Sequence, residues 1–197
     1  MARRRQRRFL DSIMGRTQPV RPDLDAIFGL PSAAITLSAA LGFDAVGTGA
    51  VAFRVPEGRA FSEVQGDIEA LLAASGNPAV EVTADQYGYT WLVVRTDPAD
   101  VSALVTHLHA VNLTLQDSGW GPQLLCSMVG FSGPGDRSLA MVYLFKQGAF
   151  YPFAPAAGGG QSRDTMLELQ VRDLVAEDLT IEKDLSRWFP VWGAPGL

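Results

Sequence analysis

The stretch that decides the fold is 87-YGYTWLVVRTDPADVSALVTHLHAVNLTLQDSGWGPQLLCSMVGF-131. Residues 89–94 are aromatic or β-branched almost throughout, which predicts a strand covered on both faces. Residues 124–131 return as a second apolar strand. Between them, a single apolar helical stripe is formed by Val101, Leu104, Val105, Leu108, Val111 and Leu115. We therefore expect a helix packed between two strand segments of one sheet, a pattern that indicates a fold and names no chemistry.

The ends of this helix and its polar residues can also be predicted. Asp97-Pro98 is expected to begin the helix, because Asp is a favoured N-cap and Pro is favoured at the first helical position. Asn112 lies on the apolar stripe, so it should be buried and hydrogen-bonded, for example to a sheet edge. His107 and His109 point about 200° apart at 3.6 residues per turn, so they cannot hold one metal ion together.

Outward from this stretch, the strands pair mostly as hairpins. One hairpin is expected to turn at Asp85-Gln86 and another at residues 132–136, and a glycine-punctuated strand runs through residues 51–55. Helices are predicted near residues 23–41, with a break at Leu30-Pro31, and over residues 62–75, 162–178 and 180–189. This order predicts an α+β fold, in which an antiparallel sheet built from hairpins carries helices on one face.

The net charge of −5 conceals two unlike parts. Residues 1–21 hold seven arginines against one aspartate, a net of +6, whereas residues 22–197 hold nine basic against twenty acidic residues, a net of −11. We therefore divide the chain into a basic head with a linker (residues 1–21) and a single α+β domain (residues 22–197). The domain ends in an aromatic tail.

The head has an amphipathic pattern. One face of a short helix is formed by Phe9, Leu10, Ile13 and Met14, with arginines on both sides. Such a helix can contact an anionic membrane through residues 3–16 or dock against a partner helix. The alternatives are a solvated tail and an arm that binds the phosphates of a nucleic acid. The negative charge of the domain would repel a nucleic acid, so we expect no nucleic-acid partner.

Cysteine usage and hydropathy predict the compartment. The single cysteine, Cys126, cannot form an internal disulfide, which predicts a cytoplasmic protein. No apolar run is expected to approach the roughly 18 residues that would span a bilayer. The arginine cluster lacks the apolar region that follows it in a signal peptide, so we expect no export. If the head contacts a membrane, we therefore expect it to be the inner face of the cell membrane.

Candidate chemistry is sparse. Cys126 is expected in the core, because no histidine is placed to activate it. Residues 158–163 (GGGQSR) precede a helix and could surround an anion, although they lack the Gly-Lys-Ser/Thr ending of a P-loop. An acidic cluster, expected to be solvated, contains Glu177, Asp178, Glu182 and Asp184. We therefore expect no catalytic residues, metal or cofactor; the alternative is a small enzyme that uses the Gly158–Arg163 loop and nearby carboxylates.

The last ten residues carry unusual aromatic area. Trp188, Phe189 and Trp192 stand where a chain end is normally polar. They can pack across the protein's own sheet or form a docking patch for a partner.

Several short runs resemble one known family. They are 31-PSAAITL-37, 87-YGYTWLV-93, 108-LHAVN-112, 121-GPQLLCS-127, 151-YPFAP-155 and 184-DLSRWFPVWGAPGL-197. Together with the head from Phe9 to Arg16, they are similar to the actinobacterial PspA-associated protein PspAB, over nearly the whole chain from Phe9 onward. The arginine run before Phe9 looks like an extension.

The resemblance implies a non-enzymatic accessory of PspA, the membrane-remodelling coiled-coil protein of the phage-shock envelope-stress response. It supplies no catalytic residues. The candidate binding residues are those of the head face and the aromatic tail: Phe9, Leu10, Ile13, Met14, Trp188, Phe189 and Trp192. More distantly, the alternation of hairpins and helices resembles the YbjN and type III secretion chaperone domains, which would imply a dimer that binds partner segments.

Overall fold

The computed structural model describes residues 23–55, 61–74, 80–158 and 160–197. The basic head, with Phe9, Leu10, Ile13 and Met14, lies outside the described residues. The described part is organised around one sheet of six strands, in the order β2-β3-β1-β4-β5-β6. The strands are β1 (Asp44–Phe53), β2 (Glu81–Ala84), β3 (Thr90–Arg95), β4 (Leu124–Gly133), β5 (Arg137–Leu144) and β6 (Ala149–Phe153). All neighbours pair antiparallel, so the predicted α+β class with an antiparallel sheet is confirmed.

The helices lie near their predicted ranges, but the last one is shorter than residues 162–178, and the predicted break at Leu30-Pro31 was wrong because proline is tolerated in the first turn of a helix. A 3-10 helix (Leu24–Gly29) leads directly into α1 (Leu30–Leu41), and Gly42 ends α1 in the left-handed conformation at φ 68°. The others are α2 (Phe61–Ala74), α3 (Val101–Leu115) and α4 (Thr165–Leu174).

Strand β1 lies between the two strands of the stretch that decides the fold. Both β3 and β4 pair with β1 in antiparallel fashion, so β3 and β4 run parallel to each other without being neighbours. The sequence did not show this arrangement, because Gly47 and Gly49 interrupt the strand pattern of β1. A Cβ atom at Gly49 would lie 2.7 Å from the Leu108 side chain of α3, so this glycine lets the helix approach the middle of the sheet.

The predicted start of α3 was wrong. Asp100 is the N-cap, and its carboxylate accepts the backbone N–H of Ala103 at 2.8 Å. Asp97 instead accepts the N–H of Ala99 at 2.9 Å, which closes a turn containing Pro98. Both aspartates have a favoured capping side chain, and the local pattern alone did not separate the turn from the helix that follows it.

The helices cover one face of the sheet, where the larger core lies. The stripe of α3 is buried as predicted at Leu104, Val105, Leu108, Val111 and Leu115, and Val101 packs at the edge of this core. Each buried side chain of this kind stabilises the fold by about 1.5–3 kcal/mol, so burial of the stripe is a large contribution to holding α3 on the sheet.

The opposite face carries a second core, which the C-terminal tail covers. This core includes Ala52, Trp91, Met128, Tyr151 and Trp188. The helix predicted over residues 180–189 is wrong apart from one 3-10 turn (Leu185–Arg187). The chain instead lies beside β6, where Phe150 donates its N–H to Thr180 and accepts the N–H of Glu182, both at 2.8 Å. The tail is therefore a second layer of the fold.

One expectation about hydropathy is corrected. Among the described residues, Leu24–Leu41 is long and apolar enough to cross a membrane by length and composition, with a mean hydropathy of 1.6. A core helix passes the same test, and here Ile27, Leu30, Ala33 and Leu37 are buried against the sheet.

Candidate functional site

A groove of about 620 Å³ lies on the tail-covered face of the sheet, and we call it the aromatic groove. Its floor takes one residue from each of five strands: Ala52, Trp91, Cys126, Leu144 and Tyr151. The strand register explains this, since Ala52 lies opposite both Trp91 and Cys126, and Cys126 lies opposite Leu144. The floor is therefore apolar and is held by the sheet itself.

The turn between β2 and β3 forms one wall of the groove. The Asp85 carboxylate accepts the backbone N–H groups of Tyr87 and Tyr89, at 2.8 and 3.0 Å, and the indole N–H of Trp91 at 2.9 Å. These three bonds fix the turn and the floor indole relative to each other. The Tyr87 and Tyr89 side chains remain 43% and 37% exposed at the rim.

The aromatic tail forms the opposite wall, and its three predicted binding residues have different surroundings. Trp188 is buried and stacks on the Tyr151 ring, with centroids 5.9 Å apart. Trp192 is half-buried in the groove lining and meets the edge of the Phe153 ring. Phe189 is held by its backbone, whose carbonyl accepts the Tyr151 hydroxyl at 2.7 Å, while its side chain is 59% exposed.

A buried ion pair clamps the tail in place. Arg163 donates from Nε to the Glu168 carboxylate at 2.8 Å and from Nη1 to the Trp188 carbonyl at 2.5 Å. Glu168 is 2% exposed and also accepts the Ala154 N–H at 2.9 Å. The guanidinium lies 5.2 Å from the centre of the Phe153 ring. Arg163, the cation of the predicted anion-binding loop, therefore serves to hold the tail.

The rest of that loop closes one end of the groove. Gln161 donates from its side-chain amide to the Tyr87 hydroxyl at 2.5 Å, which joins the loop to the β2–β3 turn. Gly158 and Gly160 adopt positive φ angles of 104° and 88°.

Two exposed cations stand on the rim. Arg54 follows β1 and Lys146 follows β5, and both line the groove. Since β1 and β5 both pair antiparallel with β4, they end at the same edge of the sheet. Within the part of the chain that the structure describes, neither cation has an ion-pair partner.

The titration behaviour of the groove does not favour covalent chemistry. Burial raises the pKa of the Cys126 thiol to about 12. Burial also raises the pKa of the Tyr151 hydroxyl well above its usual value. Both groups are therefore protonated and unreactive near neutral pH, unlike an activated nucleophile.

Asn112 is buried and hydrogen-bonded, as predicted, with 2% of its surface exposed. Its amide donates to the Ser127 hydroxyl at 2.8 Å. Ser127 belongs to β4, an interior strand of the sheet, so the suggested location at a sheet edge was wrong. The bond joins α3 to the centre of the sheet and lies on the face opposite to the aromatic groove.

The two histidines lie in different surroundings. His109 Nδ1 lies 3.3 Å from the Leu24 carbonyl oxygen, and its ring packs at 4.8 Å from the Phe28 ring. His107 Nδ1 is buried without a hydrogen-bond partner. Over the described ranges, no group of three or more His, Cys, Asp or Glu side chains is placed to hold a metal ion.

The acidic cluster predicted to be solvated is partly structural. Asp178 accepts hydrogen bonds from Ser32 at 2.5 Å and from Thr36 at 2.8 Å, which ties the segment after α4 to α1. Glu182 is 8% exposed and accepts the N–H of Asp184 at 2.9 Å. The expectation of a wholly solvated cluster was therefore wrong.

Sequence reasoning missed most of the groove residues. Trp91 was assigned to a strand, Tyr151 lay outside the predicted strands although β6 contains it, and Tyr87, Arg54 and Lys146 were given no role. Alternation shows which residues of one strand share a face, but strand pairing decides that Trp91 and Tyr151 lie on the same face of the sheet, and long-range contacts decide which segment covers it. Residues 180–189 were assigned to a helix, and the aromatic tail was left either to pack across the sheet or to form a docking patch, so the groove between tail and sheet was not predicted.

The comparisons with known proteins identify a family. A family model described as PspA associated protein B matches residues 7–196, so the chain belongs to that family. No curated protein matches the chain, and no solved structure matches it.

Proposed function

We propose that this member of the PspA associated protein B family is a non-enzymatic adaptor that binds PspA, or another phage-shock component, through the aromatic groove. The family description associates the chain with PspA. The groove supports the location, because it combines an apolar floor with exposed aromatic side chains at its rim. A partner helix of a coiled-coil protein can place apolar side chains on such a floor.

The observation that best supports the aromatic groove as the binding site is the exposed side chain of Phe189 on a fixed backbone. Its backbone is fixed by the Tyr151 hydroxyl, while its side chain is 59% exposed at the groove. An aromatic side chain on a fixed backbone loses little conformational entropy on binding and buries a large apolar area. Residues of this kind often dominate binding energy at protein interfaces.

The ionisable groups of the groove favour binding over catalysis. An enzyme site brings together ionisable groups with pKa values shifted toward neutral pH. In the groove, Cys126 and Tyr151 are shifted the other way, and Arg163, the residue of the alternative enzyme site, is bonded to Glu168 and Trp188.

The basic head would bring this adaptor to the cytoplasmic face of the membrane. Each arginine near an anionic leaflet contributes about 1 kcal/mol, and the face formed by Phe9, Leu10, Ile13 and Met14 adds apolar burial. Ordering a short helix costs about 1–2 kcal/mol per residue, so the contact should be weak and reversible.

The test is isothermal titration of the full chain with purified PspA. Phe189→Ala removes the exposed ring but keeps the backbone carbonyl that Tyr151 binds, so the fold should be unchanged. We expect affinity for PspA to fall about tenfold or more.

Met166→Ala is the matched control, because Met166 is also an exposed apolar side chain, at 80%, and does not line the groove. Absence of PspA binding would contradict the function. Binding that Phe189→Ala and Met166→Ala weaken equally would contradict the location.

A further inference from the structure

We propose that the aromatic groove selects an acidic segment of its partner protein, in which one or two bulky apolar side chains are flanked by carboxylates. This rests on the proposed function, which it deepens by naming the chemistry of the segment that is bound.

The apolar part of this preference follows from the floor. The volume of about 620 Å³ falls in the range of roughly 300–1,000 Å³ that is usual for pockets which enclose a ligand. The groove lies between Trp91 and Tyr151 on the floor and Val191 and Trp192 on the tail. These walls are held by the sheet and by backbone hydrogen bonds, so an apolar side chain can enter without rearranging the fold.

The acidic part follows from Arg54 and Lys146. The strand register places both at the edge of the sheet where β4 begins, with β4 between them. Two strand spacings separate their backbones by roughly 10 Å. Both side chains are exposed and lack an ion-pair partner among the described residues, so both are available to carboxylates that flank an inserted side chain.

The carboxylate in the lining does not cancel this preference. Asp85 already accepts three N–H groups, from Tyr87, Tyr89 and Trp91. Its negative charge remains, but Arg54 and Lys146 outnumber it, so the charged lining residues carry a net charge of 2 − 1 = +1 and favour an acidic segment.

The same charges argue against the chain's own head as the occupant. Residues 1–21 carry a net charge of +6, and they would meet Arg54 and Lys146 with the same sign. The domain over residues 22–197 has a net charge of −11, so a cationic rim is also a local exception on this protein. Charge complementarity therefore points to an acidic segment of another protein.

The experiment titrates the ¹⁵N-labelled full chain with acetyl-EDLFED-amide and follows the indole N–H signals by NMR. Trp91 and Trp192 line the groove, whereas Trp120 packs against Phe53 on the helix-covered side and serves as an internal reference. We expect the signals of Trp91 and Trp192 to shift and saturate, with Trp120 unchanged. Two control peptides, KKLFKK and EDSSED, should bind about fivefold or more weakly, because one reverses the charges and the other removes the apolar side chains.

Lys146→Glu and Lys183→Glu are the matched variants, since both reverse an exposed lysine and only Lys146 lines the groove. We expect Lys146→Glu to weaken EDLFED binding about fivefold relative to Lys183→Glu, and added salt to weaken binding to the unmodified chain. Equal affinities of the two variants, equal binding of KKLFKK, or no shift of Trp91 and Trp192 would each overturn the proposal.

Deletion of residues 1–21 tests the alternative occupant. If the deletion alone shifts Trp91 and Trp192, the head fills the groove and the proposal is wrong; unchanged signals support it. The outcome is separable from that of the proposed function. EDLFED binding without PspA binding would leave the groove preference standing and overturn the partner, and PspA binding without EDLFED binding would do the reverse.

Discussion

Replacing Arg163 by methionine should destabilise the protein strongly, because it strands a buried carboxylate. Glu168 is 2% exposed, and its Oε1 accepts only the Arg163 Nε and the Ala154 N–H among the described donors. Methionine keeps much of the apolar stem that packs near Phe153 but supplies no donor. The Trp188 carbonyl loses its Arg163 partner as well.

The expected magnitude follows from burial. Breaking a buried ion pair by removing one partner costs about 3–5 kcal/mol. The Arg163 side chain is 22% exposed, so water can reach part of the site and we expect about 3 kcal/mol. In a chain of this size, 1 kcal/mol lowers Tm by about 2–4 °C, so Arg163→Met should lower Tm by about 6–12 °C.

The measurement is thermal and urea unfolding of four proteins: the unmodified chain, Arg163→Met, Glu168→Gln and the double variant. A glutamine at this position still accepts the Ala154 N–H and carries no charge. The double variant should therefore be about 1–3 kcal/mol more stable than Arg163→Met alone. If adding Glu168→Gln fails to restore stability, the loss comes from packing around Phe153, and the stranded-charge argument is refuted.

Four further outcomes are expected. Asn112→Leu should lower the free energy of unfolding, measured in urea, by about 1–3 kcal/mol, because it leaves the buried Ser127 hydroxyl unpaired. Ser127→Ala should then lower it less in the Asn112→Leu variant than in the unmodified chain. Equal losses in the two proteins would contradict the hydrogen bond. Gly130→Ala should lower Tm, because its Cβ would overlap a carbonyl oxygen of the tail, and an unchanged Tm would mean that the tail is not held there. Burial raises the pKa of Cys126 to about 12, so at pH 8 the native protein should react with a bulky maleimide at roughly a thousandth of the rate of the unfolded chain or less. The rate should increase as the pH rises toward 12. Rapid labelling of the native protein would revive the enzyme hypothesis. The full chain should co-sediment with anionic but not zwitterionic vesicles, less so at high salt, and deletion of residues 1–15 should abolish this; identical behaviour of the two chains would contradict the membrane contact.

The α3 layer could be predicted because local pattern and burial agree there. The stripe from Val101 to Leu115 needs a single apolar face, and the sheet supplies the surface beneath it, chiefly through β1 and β3. The insertion of β1 between β3 and β4 was not predictable in the same way. Strand neighbours depend on long-range pairing, and the glycine that permits close packing, Gly49, weakens the local strand pattern.

The tail shows the opposite case, in which local pattern was misleading. Residues 180–189 contain apolar and charged positions that suit a short helix, but extended pairing with β6 satisfies the backbone of Thr180 and Glu182 instead. The Arg163–Glu168 pair then fixes the Trp188 carbonyl. Arg163 and β6 are distant in sequence from the tail residues that they hold, so the sequence allowed for a tail that packs across the sheet but did not show the groove that it forms there.

The way in which the tail is held separates folding from recognition. Tyr151 and Arg163 bind backbone carbonyls, those of Phe189 and Trp188, rather than the Phe189 side chain. The position of the groove wall is therefore independent of which side chain residue 189 carries, and substitutions there should change affinity far more than stability. A fold that fixes the backbone while leaving the aromatic ring exposed is suited to recognise a partner segment, because the ring is already in position before binding and its apolar surface is buried only in the complex.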